Sequence, residues 1–149
     1  MNEIKLVIKL PPVTKKNSMQ MIRNSKTQKP MLVPSKQYRR YERDSGWFLK
    51  PLAISSPVNI RALYYMATRR KVDITNLESA LLDVLVKHGV ITDDNCRIVV
   101  STDGSRVLYD KDNPRTEIYI TESKEVTALD MLLGIAKREL TKQESREEK

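Results

Sequence analysis

Residues 57–89 read PVNIRALYYMATRRKVDITNLESALLDVLVKHG, a strand followed by a helix, and the rest of the chain is read outward from that pair. Val58, Ile60, Ala62, Tyr64 and Met66 alternate with Asn59, Arg61, Leu63 and Tyr65, so one face is apolar and 57–67 is a strand. It ends at Arg69-Arg70-Lys71. Thr75 and Glu78 then stand at capping-box spacing, Leu77, Leu81, Val84 and Leu85 form a buried stripe, and Gly89 supplies the residue past the last turn. These features predict a helix over 76–88.

On the N-terminal side, Ile4, Leu6, Ile8 and Leu10 alternate with Lys5, Val7 and Lys9 until Pro11-Pro12 stops the strand. Residues 13–34 read as a long basic loop or a hairpin, and a loop of that length in a small domain is usually functional or mobile. Ser35 can cap a helix that carries Tyr38, Tyr41, Trp47 and Phe48 toward a core and Arg39, Arg40 and Arg43 on other faces. On the C-terminal side, 97–101 and 116–121 are strand-like, with a turn-rich stretch at 110–114 between them. Val126, Leu129, Leu132, Leu133, Ala136 and Leu140 share one side of a final helix in 123–149, whose end from Glu144 to Lys149 looks frayed. The expectation is an α/β (α+β) domain over 1–121, with a mixed sheet of about four strands and flanking helices, and a C-terminal helical extension over 122–149.

At 149 residues the natural expectation is one core, and 40% apolar with 31% charged residues is ordinary for a soluble globular protein. No stretch approaches the roughly 20 apolar residues of a membrane helix, and the N-terminus runs straight into a strand pattern, so a cytosolic protein is expected. One cysteine, Cys96, and one histidine, His88, exclude a disulfide framework and any zinc site built within one chain from several such ligands. Hard oxygen ligands remain. Cys96 reads as a small buried residue, and His88 as a partner of the helix C-terminus.

The net charge of +8 is unevenly placed: residues 1–50 hold twelve Lys and Arg against Glu3, Glu42 and Asp44, whereas the rest of the chain is close to neutral. A basic third on a neutral body is what a phosphate-tracking surface looks like, although a merely solvated basic face gives the same count. Only eight residues are aromatic, so a base-stacking platform for single strands is the weaker option.

Four aspartates carry the chemistry. Asp73 lies between Arg69-Arg70-Lys71 and the helix start, both of which favour its ionised form. Asn76, Ser79 and Asp83 share a polar stripe of that helix, and Asp93-Asp94 sit side by side in the following turn. Adjacent acids repel unless a cation or a turn geometry answers them. Each has a plainer reading alone: Asp93-Asp94-Asn95 as a turn, Asp73 as a helix-start residue, Asp83 as a solvated helix position. Together they would suit Mg²⁺, which takes one or two protein carboxylates and completes its shell with waters and phosphate oxygens.

The stretch from Arg69 to Leu77, with Ala80, Asp83 and Val90-Ile91-Thr92-Asp93-Asp94, resembles the RusA family of Holliday junction resolvases, phage-associated endonucleases. Pro11-Pro12 ahead of Lys16-Asn17 and the strands at 57–67 and 116–121 follow the same order. The resemblance implies a homodimer that uses Mg²⁺, with Mn²⁺ as a substitute, to nick two strands of a four-way DNA junction symmetrically in recombination and repair. By position, Asp73 and Asp94 match catalytic aspartates, with Asp93 beside them and Asp83 as a further possible ligand. Thr75 and Ser79 depart from the pattern, where the family's best-known member has an aspartate and a lysine. Lys15, Lys16, Asn17, Arg23, Lys26, Arg69, Arg70 and Lys71 are the expected DNA contacts, with Lys71 or Lys16 as the lysine that would stand in for the missing one.

Overall fold

The structure, a computed structural model, describes residues 2–15 and 19–123. Lys16, Asn17 and the expected C-terminal helix lie outside the described residues. Among those described, no helix is long and apolar enough to cross a membrane.

The alternating segment becomes β4 (Val58–Met66), in which Val58, Ile60, Ala62 and Tyr64 are buried. β1 (Ile4–Ile8) and β7 (Arg115–Glu122) precede it in the sheet, each pair antiparallel, with Ile4 opposite Ile120 and Ile60 opposite Ile120 across the two ladders. Along its other side β4 takes two short parallel partners, β5 (Val99–Ser101) at Val58 and Asn59 and β6 (Arg106–Tyr109) at Leu63 to Met66. The sheet is thus mixed, as expected, but has five strands. The extra strand, β6, has exposed Val107, Leu108 and Tyr109, and without a buried alternating face its sequence gave no period to read.

A parallel return needs a crossover, and α2 (Ile74–Lys87) supplies it between β4 and β5. Leu77, Ala80, Leu81, Val84 and Leu85 are its buried stripe, packed with Ile60, Tyr64, Ile118 and Ile120 in one core. The helix begins two residues before the predicted start. Asp73, not Thr75, is the N-cap, and its carboxylate accepts the Thr75 backbone N–H at 3.0 Å. An aspartate caps as well as a threonine does, so local propensity did not separate the two. The other end is as predicted: Gly89 has φ +68°, a conformation only glycine adopts without strain.

α1 (Lys36–Ser45) is capped by Ser35 Oγ, which accepts the Tyr38 N–H at 3.1 Å, and buries Tyr38, Tyr41 and Ser45. Trp47 is not core: it sits in the 3-10 turn Gly46–Phe48 that follows α1 and is 87% exposed. That turn breaks the helical period which would have carried Trp47 inward. Cys96 is likewise exposed, in the turn that follows Asp93-Asp94, rather than buried. His88 closes α2, and its Nε2 donates to the Glu42 carbonyl oxygen at 2.7 Å, tying α2 to α1. Residues 19–34 form the hairpin alternative: β2 (Met19–Arg23) and β3 (Pro30–Pro34) pair only with each other, outside the main sheet.

Leu85 is fully buried in the last turn of the α2 stripe, so Leu85→Ala should lower the unfolding free energy by roughly 2–5 kcal/mol. Trp47→Ala should change it by no more than about 0.5 kcal/mol. Urea denaturation of the two variants beside the unaltered chain measures both.

Candidate functional site

Asp73 occupies the point where the sheet hands the chain to α2. Its Oδ1 accepts both the Thr75 backbone N–H, at 3.0 Å, and the Thr75 hydroxyl, at 2.7 Å. The threonine at the departing position therefore orients the aspartate beside it. Both residues are exposed, and the first turn of α2 contributes its unpaired N–H groups and positive dipole end to the same place.

The neighbouring surface is basic and concave. A groove of about 490 Å³ is lined by Pro11, Pro12, Val13 and Thr14 on one side and by Met66 to Thr68, Arg70, Lys71 and Val72 on the other. Pro11-Pro12, which ends the first strand, contributes to the lining with Val13, buried Thr14 and Gln37 of α1. Arg69 stacks on the Tyr109 ring with its guanidinium carbon 4.3 Å from the ring centre. The unpredicted β6 is what delivers that ring, because its register puts Tyr109 opposite Met66. Tyr109 is thus a positioning residue that the sequence reading missed.

Asp83 lies partway along α2 and is paired with Lys15, Nζ to Oδ2 at 2.9 Å. The reading of Asp83 as a metal ligand and of Lys15 as a DNA contact therefore competes with their contact with each other. Arg23 ends β2 and Lys26 lies in the β2–β3 turn, where its backbone N–H is held by Asn24 Oδ1 at 2.8 Å. They belong to the hairpin and do not line the groove that Arg70 and Lys71 share.

Asp93 and Asp94 form the turn that their residue types favour. Asp93 accepts the Asp94 backbone N–H at 2.8 Å and the Asn95 side-chain amide at 2.6 Å. The Asn95 amide, then the Asp94 N–H, hold the Asp93 carboxyl below the ordinary aspartate range. These donors offset part of the repulsion between the adjacent acids.

This turn stands away from Asp73 within the chain. It follows the C-terminal end of α2 and is anchored there, Thr92 N–H donating to the Ile54 carbonyl and Val58 N–H to the Ile98 carbonyl. Asp73 caps the opposite end of the same fourteen-residue helix. At a rise of about 1.5 Å per residue the two ends are about 20 Å apart, far beyond what one ion spans. In agreement, among the described residues no three of His, Cys, Asp and Glu stand together as a metal site. The acids are hard oxygen donors of the kind Mg²⁺ takes, and they stand toward the two ends of α2. Spacing in sequence concealed this, because a chain that leaves a helix can return along it or stay at its far end.

A family model described as Endodeoxyribonuclease RusA matches residues 9–121. The chain belongs to the RusA endodeoxyribonuclease family. No curated protein matches it. The match spans both helices, the hairpin and the sheet apart from β1, so Asp73, the basic groove and the Asp93-Asp94 turn all lie within the RusA region.

Capping and charge are separable at Asp73. Asp73→Asn should keep the cap and leave thermal stability nearly unchanged, whereas Asp73→Ala should cost about 1 kcal/mol; calorimetric melting of both variants tests this. For Asp93, the lowered value means that its hydrogen bonds stabilise the fold above the ordinary aspartate range, near 3.9, and are lost as pH falls through the folded-state value. An NMR titration of its carboxyl carbon should find the midpoint below that of an unstructured aspartate.

Proposed function

We propose that this RusA-family chain is a Mg²⁺-dependent endodeoxyribonuclease for branched DNA, acting on four-way junctions as a homodimer that nicks two strands symmetrically. The family match over 9–121 carries the reading, and the placement of Asp73 and Asp94 within the family's acidic pattern supports it. Mn²⁺ would serve in place of Mg²⁺.

The separation of the acids along α2 favours a site shared between chains, with Asp73 of one protomer and Asp94, next to Asp93, of its partner holding the ion. Bound there, the metal would lower the pKa of a coordinated water and offset charge on the leaving oxygen. The protein's own contribution is to present Asp73 ionised and oriented by Thr75, and to bring the scissile strand's phosphates onto Arg70 and Lys71, with Arg69 held on Tyr109. Phosphate contacts of this kind place DNA by backbone shape rather than by base sequence. Two symmetric sites on one dimer suit paired nicks across a junction.

A second reading has one observation in its favour. Thr75 and Ser79 replace an acid and a lysine of the family pattern, which would leave a branched-DNA-binding protein with weakened catalysis.

Incubation with a labelled synthetic junction, with and without Mg²⁺, separates the two readings: paired nicks that vanish in chelator are expected. Asp94→Asn should abolish cutting and preserve junction binding, and unchanged cutting would remove Asp94 from the site. Mixing Asp73→Asn with Asp94→Asn protein should restore nicking of one strand, since a mixed dimer retains one complete shared site. Continued inactivity of the mixture, with both variants folded and dimeric, would point to a site within one chain.

A further inference from the structure

Helix α1 carries Lys36, Arg39, Arg40 and Arg43 at spacings of three, four and seven, so all four lie on one exposed stripe opposite buried Tyr38 and Tyr41. The helix's own electrostatics oppose that arrangement. Like charges three and four residues apart destabilise a helix, and Lys36 stands in a first turn that has no acid, where the dipole favours anions. Among the described residues Asp44 alone pairs with the stripe, at 3.5 Å from Arg40 and 2.8 Å from Arg43, whose side chains remain 78% and 72% exposed. Lys36 and Arg39 form no ion pair among the described residues. Folding therefore gains little from this charge pattern.

The stripe also joins the basic groove. The four cations line a concavity of about 350 Å³. A second hollow, about 260 Å³, includes Arg40 of that stripe and shares Pro11, Val13 and Gln37 with the groove that holds Arg70 and Lys71. The stripe and the groove thus adjoin through Arg40 and Gln37 of α1. The stripe rises about 10 Å along the helix axis, a length over which duplex DNA presents roughly six phosphates.

We propose that the α1 stripe holds a double-stranded arm of the DNA substrate by its phosphates, at a distance from the strand that is cut. The proposal rests on the reading of the chain as a branched-DNA nuclease and adds a contact surface to it. Because the contacts are to phosphate, they act alike on a linear duplex and on a junction arm.

The test is the salt dependence of binding without metal, by fluorescence anisotropy between 50 and 200 mM salt, on a linear duplex and on a four-way junction. The Lys36→Gln/Arg39→Gln variant removes two exposed charges and leaves the Asp44 pairs intact. Its slope of log affinity against log salt should be shallower by about 2 on both DNAs, at about 0.9 per lost phosphate contact. Arg39→Lys should keep the slope, and circular dichroism should show both variants folded. An unchanged slope in the folded double variant overturns the proposal, as does a loss confined to the junction, which would place the stripe at the crossover. Cutting by the unaltered chain alongside an unchanged slope removes this inference alone. A lost slope alongside no cutting removes the nuclease reading and leaves the duplex contact standing.

Discussion

Strand β4 is hydrogen-bonded along both edges, to β7 on one side and to β5 and β6 on the other, and α2 packs across its buried face. The other strands of the main sheet and α2 are placed by that double commitment. The antiparallel side carries β1 through β7, and the parallel side can be reached only by a crossover, which α2 provides. The far end of β4 leads into Arg69-Arg70-Lys71 and the cap of α2, so the basic edge and Asp73 are held by the same strand that organises the core. Burial of Val58, Ile60, Ala62 and Tyr64 with Leu81, Leu85, Ile118 and Ile120 therefore also anchors the strand that leads into the groove.

Asp73 joins structure and chemistry in one carboxylate. As N-cap it satisfies an N–H of the first turn, and as a carboxylate it stands at the positive end of the helix dipole, just after Arg69-Arg70-Lys71 in the chain. Thr75, which removes an acid from the family pattern, uses its hydroxyl to fix the orientation of the acid that remains. Asp93 shows the opposite economy: its oxygens are taken by Asp94 and Asn95, leaving Asp94 as the member of the pair without those donors to answer.

The elements with a strong period were legible from the residues. β1, β4, β7 and the core stripe of α2 each bury one face, and burial writes itself into the sequence as alternation or as spacings of three and four. β6 has no buried face, so nothing in Arg106-Val107-Leu108-Tyr109 distinguished a strand from the end of a turn. Trp47 and Cys96 were misplaced for a related reason: residue type gives an average burial, whereas a 3-10 turn and an exposed bend decided theirs.

For the site, the residue types and their order along the chain were determined by the sequence itself: hard oxygen donors, a charged helix start, a basic approach and membership of a nuclease pattern. Their arrangement was decided only by the tertiary structure. Asp83 pairs with Lys15, Arg69 rests on Tyr109, and Asp73 and Asp94 stand at opposite ends of α2. Identity and local capping are properties of neighbouring residues. Distance between residues 73 and 94 depends on which way the chain runs after α2, and that direction is set by the pairing of 90–92 with Ile54 and of Val99 with Val58, contacts far apart in sequence.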